Sequence, residues 1–258
     1  LGDVYKRQPV NDPATQISAM AAVTEHLGFG VTAAATFEQP YTLARRYASL
    51  DHLTEGRVGF NVVTSYLPSA AENQGLPTQI PHDERYEIAD EFLDVCYKLW
   101  EGSWEDGAVV KDRERGVYAD PSKVHPIGHK GKYFSVPGIS LTEPSPQRTP
   151  VIFQAGASSR GQKFSGKHAE AVFISALRPD LTRVVTDRIR ASAEEQGRSR
   201  DDVKILAMLS VIVDETEEKA KAKYEEYKKY INLDSAQAII GGWSGAVSYT
   251  HLRAHETR

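Results

Sequence analysis

Hydrophobic and polar residues along the chain alternate between two patterns, one typical of buried strands and one typical of amphipathic helices. Continuous runs of small and apolar residues predict buried strands. These runs lie at 29–36, 57–64, 150–155, 171–175 and 203–213. Apolar residues spaced three and four apart predict helices between the runs, with Asp12 and Asp83 as N-caps of the first and third helices. This alternation predicts parallel strands joined by right-handed crossovers.

A doubly wound sheet and a (β/α)8 TIM barrel both fit the alternation, and the polar residues at the strand ends help to separate them. Thr36, Ser65, Gly156 and Ser175 lie at or just after the carboxyl ends of four predicted strands. Active sites of both folds lie at that end of the sheet. Four strands that contribute to one rim favour a barrel. The length of 258 residues is also close to the roughly 250 residues of such a barrel.

Residues 101–148 lose the helical spacing and are rich in Gly, Pro, Asp and His. We interpret this segment as a long insertion after the third helix, with a short strand pair near 133–136. Insertions of this length inside a domain are usually functional. Residues 66–81 are predicted to form a loop.

Composition and charge exclude several classes of protein. The formal net charge is −4, which does not suggest a protein that binds nucleic acid or a membrane surface. The single cysteine, Cys96, cannot form an internal disulfide, so a cytoplasmic location is expected. No apolar run is long enough to cross a bilayer.

The two ends of the chain lack the spacing of either helices or strands. Residues 1–8 and 247–258 mix charged, aromatic and polar residues without a period. We predict that both are non-native tails flanking one domain over 9–246, and ordinary disordered termini are the alternative.

Two sequence patterns resemble known motifs but predict no site. The G-x-G-x-x-A run at 28–33 follows a helix and opens a strand, the reverse of a dinucleotide-binding loop. His125 and His129 have the spacing of metal ligands, but Pro126 and Gly128 prevent a helix between them and no further ligand accompanies them. No metal is therefore expected.

Three segments carry candidate binding residues. Asn61 lies within an apolar strand, where an amide suits the hydrogen-bonding edge of a planar ring unless it bonds to neighbouring backbone. His82 and Tyr86 lie four residues apart at a helix start, where they could face one anion or serve only as cap and packing. The run Gly156, Ala157, Ser158 and Ser159 joins a strand to a helix, as a phosphate cradle does, although a plain serine cap would look the same.

The segments around these candidates resemble the bacterial-luciferase-like flavin monooxygenases. SLDHLTEGR at 49–57 is shared broadly within that superfamily. Other segments resemble the branch that contains long-chain alkane, nitrilotriacetate and dibenzothiophene-sulfone monooxygenases, and the overall pattern is most similar to the alkane type. These segments are FNVVTS (60–65), HDERY (82–86), LWEGSWEDGAVV (99–110), DPSKVHPIGHKGKYFSVPG (120–138) and SPQRTPVIFQAGASSRG (145–161).

The resemblance implies a (β/α)8 barrel that uses reduced FMN as a diffusible cosubstrate, supplied by a separate NAD(P)H:flavin reductase. Dioxygen would form a flavin hydroperoxide, from which one oxygen atom enters a small organic substrate. A long-chain alkane is the first candidate, followed by organosulfur and aminopolycarboxylate compounds. No residue is assigned as a general base, because the flavin carries the chemistry.

The resemblance also implies roles for the candidate residues. Asn61 would contact the isoalloxazine ring, and Thr36 and Ser65 would line the same rim. The phosphate would lie against Tyr86 and Ser158 and the backbone from Gly156 through Ala157 to Ser159, with His82 beside it.

The chain departs from the family pattern at both ends. The first two strands of the barrel and its final units are missing, so we expect an internal fragment, inactive or barely stable alone, of a protein that forms a homo-oligomer. Two alternatives stay open: a non-catalytic flavin- or phosphate-binding protein of the same fold, and a deazaflavin-dependent oxidoreductase.

Overall fold

The computed structural model describes residues 11–156, 158–175, 178–233 and 236. The elements run in the order α1 (Ala14–Ala22), β1 (Phe29–Ala34), α2 (Pro40–Thr54), β2 (Val58–Val63), α3 (Pro68–Asn73), α4 (His82–Tyr97), β3 (Val109–Asp112), β4 (Val117–Ala119), β5 (His129–Lys130), β6 (Ser135–Val136), β7 (Val151–Gln154), α5 (Ser159–His168), β8 (Ala171–Ile174), α6 (Pro179–Glu195), β9 (Lys204–Ala207) and α7 (Glu217–Lys228). A π-helical turn at Lys98–Gly102 extends α4.

The main sheet has five parallel strands in the spatial order β1-β2-β7-β8-β9, which is also their order along the chain. A doubly wound sheet reverses its strand order at a switch point, whereas the wall of a barrel adds each strand beside the previous one. The observed order is therefore that of a barrel wall.

The helices pack on one face of this sheet. The Tyr47 ring of α2 lies 4.7 Å from the Phe60 ring of β2, and its hydroxyl donates to the Val31 carbonyl oxygen at 2.9 Å. The Trp100 indole donates to the Ala44 carbonyl oxygen at 3.0 Å and joins α4 to α2. Cys96 is fully buried in the same core. These contacts leave the opposite face of the sheet to the site.

Local sequence signals explain most of the helix boundaries. Glu55 and Gly56 end α2 with positive φ angles of 53° and 82°, as expected for a left-handed cap. Asp12 accepts a hydrogen bond from the Ala14 amide at 2.9 Å, as predicted. The predicted capping role of Asp83 is wrong, because α4 begins at His82 and the Asp83 carboxylate faces the His82 ring at 2.6 Å.

Two predicted segments differ from the structure. The strand predicted over 203–213 is paired only over Lys204–Ala207, and Leu209 and Val211 beyond it are each 74% exposed. Within the described residues no strand pairs with the outer edge of β9. The apolar residues that follow Ala207, which suggested a buried strand, therefore have no neighbouring strand to cover them there. The predicted loop at 66–81 contains the short helix α3, whose first residue is Pro68.

The insertion forms two antiparallel hairpins, β3–β4 and β5–β6, rather than the single strand pair predicted near 133–136. The Glu91 carboxylate of α4 holds the second hairpin. It accepts hydrogen bonds from the backbone amides of Lys132, Tyr133 and Phe134 at 2.8–3.1 Å and from His129 Nε2 at 3.2 Å. Burial opposes ionisation of Glu91, yet these hydrogen bonds hold its pKa below the ordinary value.

Replacement of Glu91 by Ala should release the β5–β6 hairpin, because three backbone amides lose one shared acceptor. We expect a loss of about 2 kcal/mol of local stability, measured as faster hydrogen exchange of the amides at 132–134. In the wild-type protein the same protection should be complete above the ordinary glutamate pKa of 4.5 and fall as the pH drops through the lowered value.

Glu87 provides the matched control for this experiment. It lies one turn earlier on α4 and reaches the same hairpin only through side chains, the Lys132 ammonium at 3.0 Å and the Tyr133 hydroxyl at 2.9 Å. Glu87→Ala should leave the exchange at 132–134 close to that of the wild type. Equal effects of the two substitutions would contradict the assigned role of Glu91.

Candidate functional site

The predicted polar residues at the ends of β1 and β2 meet in the structure. The Thr36 hydroxyl donates to the Thr64 carbonyl oxygen at 2.8 Å. Ser65, the next residue, has a φ of 56°, a left-handed conformation that is strained for a residue with a side chain. Thr36 and Ser65 therefore lie at one rim, and the Thr36 hydroxyl holds the peptide that precedes the strained residue.

Asn61 is the polar residue in the middle of β2, between β1 and β7. Its amide nitrogen donates to the Thr32 hydroxyl at 2.8 Å, and its Oδ1 atom is buried without a hydrogen-bond partner in the described part of the chain. The side chain thus bonds to another side chain, and the alternative of a backbone partner is not what the structure shows. A buried oxygen without a donor is unfavourable, which favours a ligand that supplies one.

Tyr86 of α4 and the first turn of α5 form a second cluster. A Cβ atom on Gly161 would lie 2.7 Å from the Tyr86 hydroxyl oxygen, 3.1 Å from Ser158 Oγ and 3.0 Å from Gly156 Cα. Ser158 is the N-cap of α5 and accepts a hydrogen bond from the Gly161 amide at 3.0 Å. The structure therefore brings together Tyr86, Gly156 and Ser158, which the sequence analysis placed around a phosphate.

The other predicted residues of this cluster have separate positions. Ser159 is the first residue of α5, where backbone amides have no acceptor within the helix. Ala157 lies outside the described residues. The His82 ring packs edge-on against Tyr86, with centroids 5.2 Å apart, and its Nδ1 atom faces Asp83. His82 therefore flanks the Tyr86 ring.

Gln154 is a polar residue at the end of a predicted strand to which the sequence analysis assigned no role in the site. It is buried at the end of β7, and its side-chain oxygen accepts hydrogen bonds from the Gly156 amide at 2.7 Å and from the Ser165 hydroxyl. The Gly156 amide is thus already bonded, and a side chain at this position would collide with Gln154 and Gly161, since a Cβ atom there would lie 2.5 Å from Gln154 Nε2 and 3.0 Å from Gly161 Cα. The available signal was a glutamine inside an apolar strand, which requires internal partners.

Arg85 is a second residue to which the sequence analysis assigned no role, and it is the most informative one. The residue is 7% exposed, and its Nη1 atom lies 3.4 Å from the Thr64 carbonyl oxygen. Its buried Nε atom has no hydrogen-bond partner within the described part of the chain. No carboxylate of the described residues forms an ion pair with it. Burial lowers its pKa, but an arginine stays protonated in a protein. The signal was a cation in the first turn of a helix, where the helix dipole disfavours it.

These groups define what the site can bind. The first turn of α5 contains the amides of Ser159 and Arg160, which have no acceptor within the helix, so an anion is favoured at this end. The buried Arg85, which precedes Tyr86 on α4 and reaches the Thr64 carbonyl oxygen at the rim, supplies a positive charge. On β2, the Asn61 Oδ1 atom, which has no partner among the described residues, favours a ligand that donates a hydrogen bond. A flavin phosphate and a flavin ring edge meet these two requirements, so the residues present fit FMN.

Two searches over the described residues bear on other classes of site. No group of three or more His, Cys, Asp and Glu side chains lies close enough together there to hold a metal ion. None of the helices described has both the length and the apolar character needed to span a membrane.

A family model described as luciferase-like monooxygenase matches residues 1–255. The chain belongs to the luciferase-like monooxygenase family. The family is the one that the motifs at 60–65, 82–86 and 145–161 predict.

Individual relatives agree with this assignment. A dimethyl-sulfide monooxygenase of Hyphomicrobium sulfonivorans is 61% identical over 237 residues, covering 92% of this chain and 49% of the relative. A crystal structure of a long-chain alkane monooxygenase matches with a TM-score of 0.90 and 54% identity over 92% of this chain and 55% of the other. The structure of a riboflavin lyase with modified FMN and riboflavin matches with a TM-score of 0.88 and 42% identity, covering 93% and 53%.

The predicted luciferase-like (β/α)8-barrel class is confirmed by these neighbours. The dimethyl-sulfide relative shares more identity than the alkane structure, although the sequence pattern is most similar to the alkane type. The chain spans about half the length of the curated relatives it matches. The predicted tails at 1–8 and 247–258 lie outside the described residues, so the division of the chain into tails and one domain stays a prediction.

Replacement of Gly161 by Ala should destabilise the protein, although alanine is the better helix former. The added methyl group would meet the Tyr86 hydroxyl and the Gly156 backbone within 3.0 Å, and neither can move freely. We expect a loss of about 1–3 kcal/mol in the free energy of unfolding, measured by urea denaturation. Gly102→Ala, where no atom lies within 4 Å of the new methyl group, is the control and should be neutral. An unchanged free energy of unfolding in Gly161→Ala would contradict the close packing of Tyr86, Gly156 and Ser158 around Gly161, which together we call the cradle.

Proposed function

We propose that the protein is a flavin-dependent monooxygenase that uses reduced FMN and dioxygen to oxygenate a small organic substrate. The observation that carries the proposal is the buried Arg85 of α4, which lacks a carboxylate partner in the described chain and directly precedes Tyr86, whose hydroxyl adjoins the first turn of α5. A buried cation of this kind requires an anion. The family and the flavin-bound riboflavin lyase support a flavin phosphate as that anion.

The residues of the chain bind and orient the cofactor in this account. Tyr86, Ser158 and the amides of the first turn of α5 hold the phosphate, with Arg85 as counter-charge. Asn61 accepts a hydrogen bond from a donor on the edge of the flavin ring, and Thr36 and Ser65 line the site beside that ring. Reduced FMN, when bound, supplies two electrons, so that one oxygen atom of dioxygen enters the substrate and the other leaves as water.

The substrate surface is expected on the sheet face opposite the helices. The Phe153 and Phe173 rings stack there, with centroids 5.6 Å apart and an interplanar angle of 16°. Phe153 also contacts the backbone of Gly59, two residues before Asn61 on β2. An apolar wall next to Asn61 favours an alkane or an organic sulfide over an aminopolycarboxylate, and it excludes water from the reacting atoms.

The remaining parts of the proposal rest on the family resemblance. The reduced flavin would come from a separate NAD(P)H:flavin reductase, and the active protein would be a cytoplasmic homo-oligomer.

Anaerobic titration and turnover test the function directly. The protein expressed from its complete reading frame should bind reduced FMN saturably, and it should consume dioxygen and oxygenate dimethyl sulfide or an alkane when a flavin reductase and NADH are added. Binding without oxygenation of any substrate would favour the non-catalytic alternative. Tight binding of a deazaflavin in place of FMN would favour a deazaflavin-dependent oxidoreductase. Binding of neither cofactor would contradict the proposal.

Arg85→Met should weaken FMN binding and stabilise the protein without ligand. The charge-assisted bonds to the phosphate are lost, which raises the Kd about tenfold to a hundredfold. The free protein no longer buries an unpaired charge, so its free energy of unfolding should rise by about 1 kcal/mol. Isothermal titration and urea denaturation measure the two effects.

Arg115→Met is the matched control for charge. Arg115 lies between β3 and β4 in an exposed ion pair with Asp112 at 2.6 Å, so its removal changes the net charge equally without touching the site. FMN affinity should not change in this variant. A lower stability of Arg85→Met with unchanged FMN affinity would show that Arg85 has only a structural role.

A further inference from the structure

One carboxylate, that of Asp90 on α4, holds both ends of α5. Its Oδ2 atom accepts a hydrogen bond from Arg160 Nη2 at 2.5 Å. Its Oδ1 atom accepts from His168 Nε2 at 2.7 Å and from Lys167 Nζ at 3.1 Å. Arg160 belongs to the first turn of α5, and Lys167 and His168 belong to its last turn. The position of the whole helix against α4 thus depends on this residue.

Arg160 connects the carboxylate to the phosphate end of the site. Its guanidinium carbon lies 5.4 Å from the centroid of the Tyr86 ring, close enough for a cation–π contact. The Tyr86 ring also packs against Phe164 of α5, with centroids 5.5 Å apart. The Tyr86 hydroxyl, in turn, adjoins Gly161 in the cradle. Asp90 therefore reaches the cradle through Arg160 and Tyr86.

The charges at this junction fit a structural anchor more than a proton-transfer group. Burial opposes ionisation of Asp90, but the hydrogen bonds from His168 and Arg160 hold its pKa well below the ordinary value. Burial lowers the pKa of His168, whose Nδ1 atom lies 3.1 Å from the Tyr97 hydroxyl. A neutral His168 that donates to Asp90 and accepts from Tyr97 satisfies every polar atom of this chain of bonds.

We propose that Asp90 is a positioning residue for the phosphate end of the flavin site. Through Arg160 it fixes the Tyr86 ring and the first turn of α5 in the arrangement that receives the phosphate. The proposal rests on the proposed function, since it assigns a role toward FMN. It predicts that Asp90 affects the binding of the phosphate and leaves the binding of the flavin ring unaffected.

Asp90→Asn is the test, with FMN and riboflavin as the two ligands in the protein expressed from its complete reading frame. Asparagine has the same shape, but an NH2 group that donates replaces one carboxylate oxygen that accepts. Either Arg160 or His168 therefore loses its acceptor. The Kd for FMN should rise about tenfold, and the Kd for riboflavin, which lacks the phosphate, should stay within about twofold. A general loss of packing would weaken both ligands alike.

A double-mutant cycle shows whether Asp90 acts through Tyr86. Tyr86→Phe removes the hydroxyl that adjoins the cradle and should itself weaken FMN binding. If Asp90 acts by holding that hydroxyl in place, Asp90→Asn should add little to Tyr86→Phe. Lys167→Met is the control, because it removes one exposed donor to Asp90 and leaves Arg160 in place; its FMN affinity should match the wild type.

The outcomes separate this inference from the proposed function. Wild-type protein that fails to bind FMN overturns both. Wild-type protein that binds FMN while Asp90→Asn binds it equally or more tightly, or loses FMN and riboflavin together, overturns the role of Asp90 alone. If Asp90→Asn does not fold, Arg160→Gln cuts the same connection while Lys167 and His168 keep their partner, and it should show the same selective loss of FMN affinity.

Discussion

A buried arginine with no carboxylate partner among the described residues constrains the site more than any other group there. Arg85 lies almost fully inside the protein, where a lone positive charge is unfavourable by several kcal/mol unless another group compensates it. The carbonyl oxygen of Thr64 is a weak partner at 3.4 Å, and Thr36 already donates to the same oxygen. The N-terminus of α5 adds positive potential where the Tyr86 hydroxyl meets that helix. A bound anion would compensate the charge of Arg85 and the amides of that first turn.

The sheet determines where this anion lies relative to the rest of the site. Parallel strands in chain order bring the carboxyl ends of β1, β2 and β7 to one rim. Asn61 and the aromatic pair of Phe153 and Phe173 then occupy one face, and the phosphate cradle lies where β7 passes into α5. A ligand with an anionic tail and a hydrogen-bonding ring, next to an apolar substrate, fits this arrangement. The luciferase-like family assignment agrees with a site built in this way.

Sequence reasoning succeeded where local physics decides the outcome. Ser158 caps α5 because a serine hydroxyl before a helix satisfies a free amide, and the Asp12 carboxylate does the same for the Ala14 amide at the start of α1. It failed where tertiary contacts decide. Nothing local shows that Gln154 accepts a hydrogen bond from the Ser165 hydroxyl of α5, or that Glu91 holds a hairpin some forty residues away along the chain. The apolar run after Ala207 suggested a longer strand because hydrophobicity reports a tendency to be buried and cannot identify the partner.

A crystal structure of the protein with FMN tests the central claim most directly. The account predicts that the phosphate lies at the first turn of α5, within hydrogen-bond distance of the Tyr86 hydroxyl, Ser158 and the Arg85 guanidinium, and that a donor on the ring system meets Asn61 Oδ1. A phosphate bound elsewhere, with Arg85 still buried and unpaired, would contradict it.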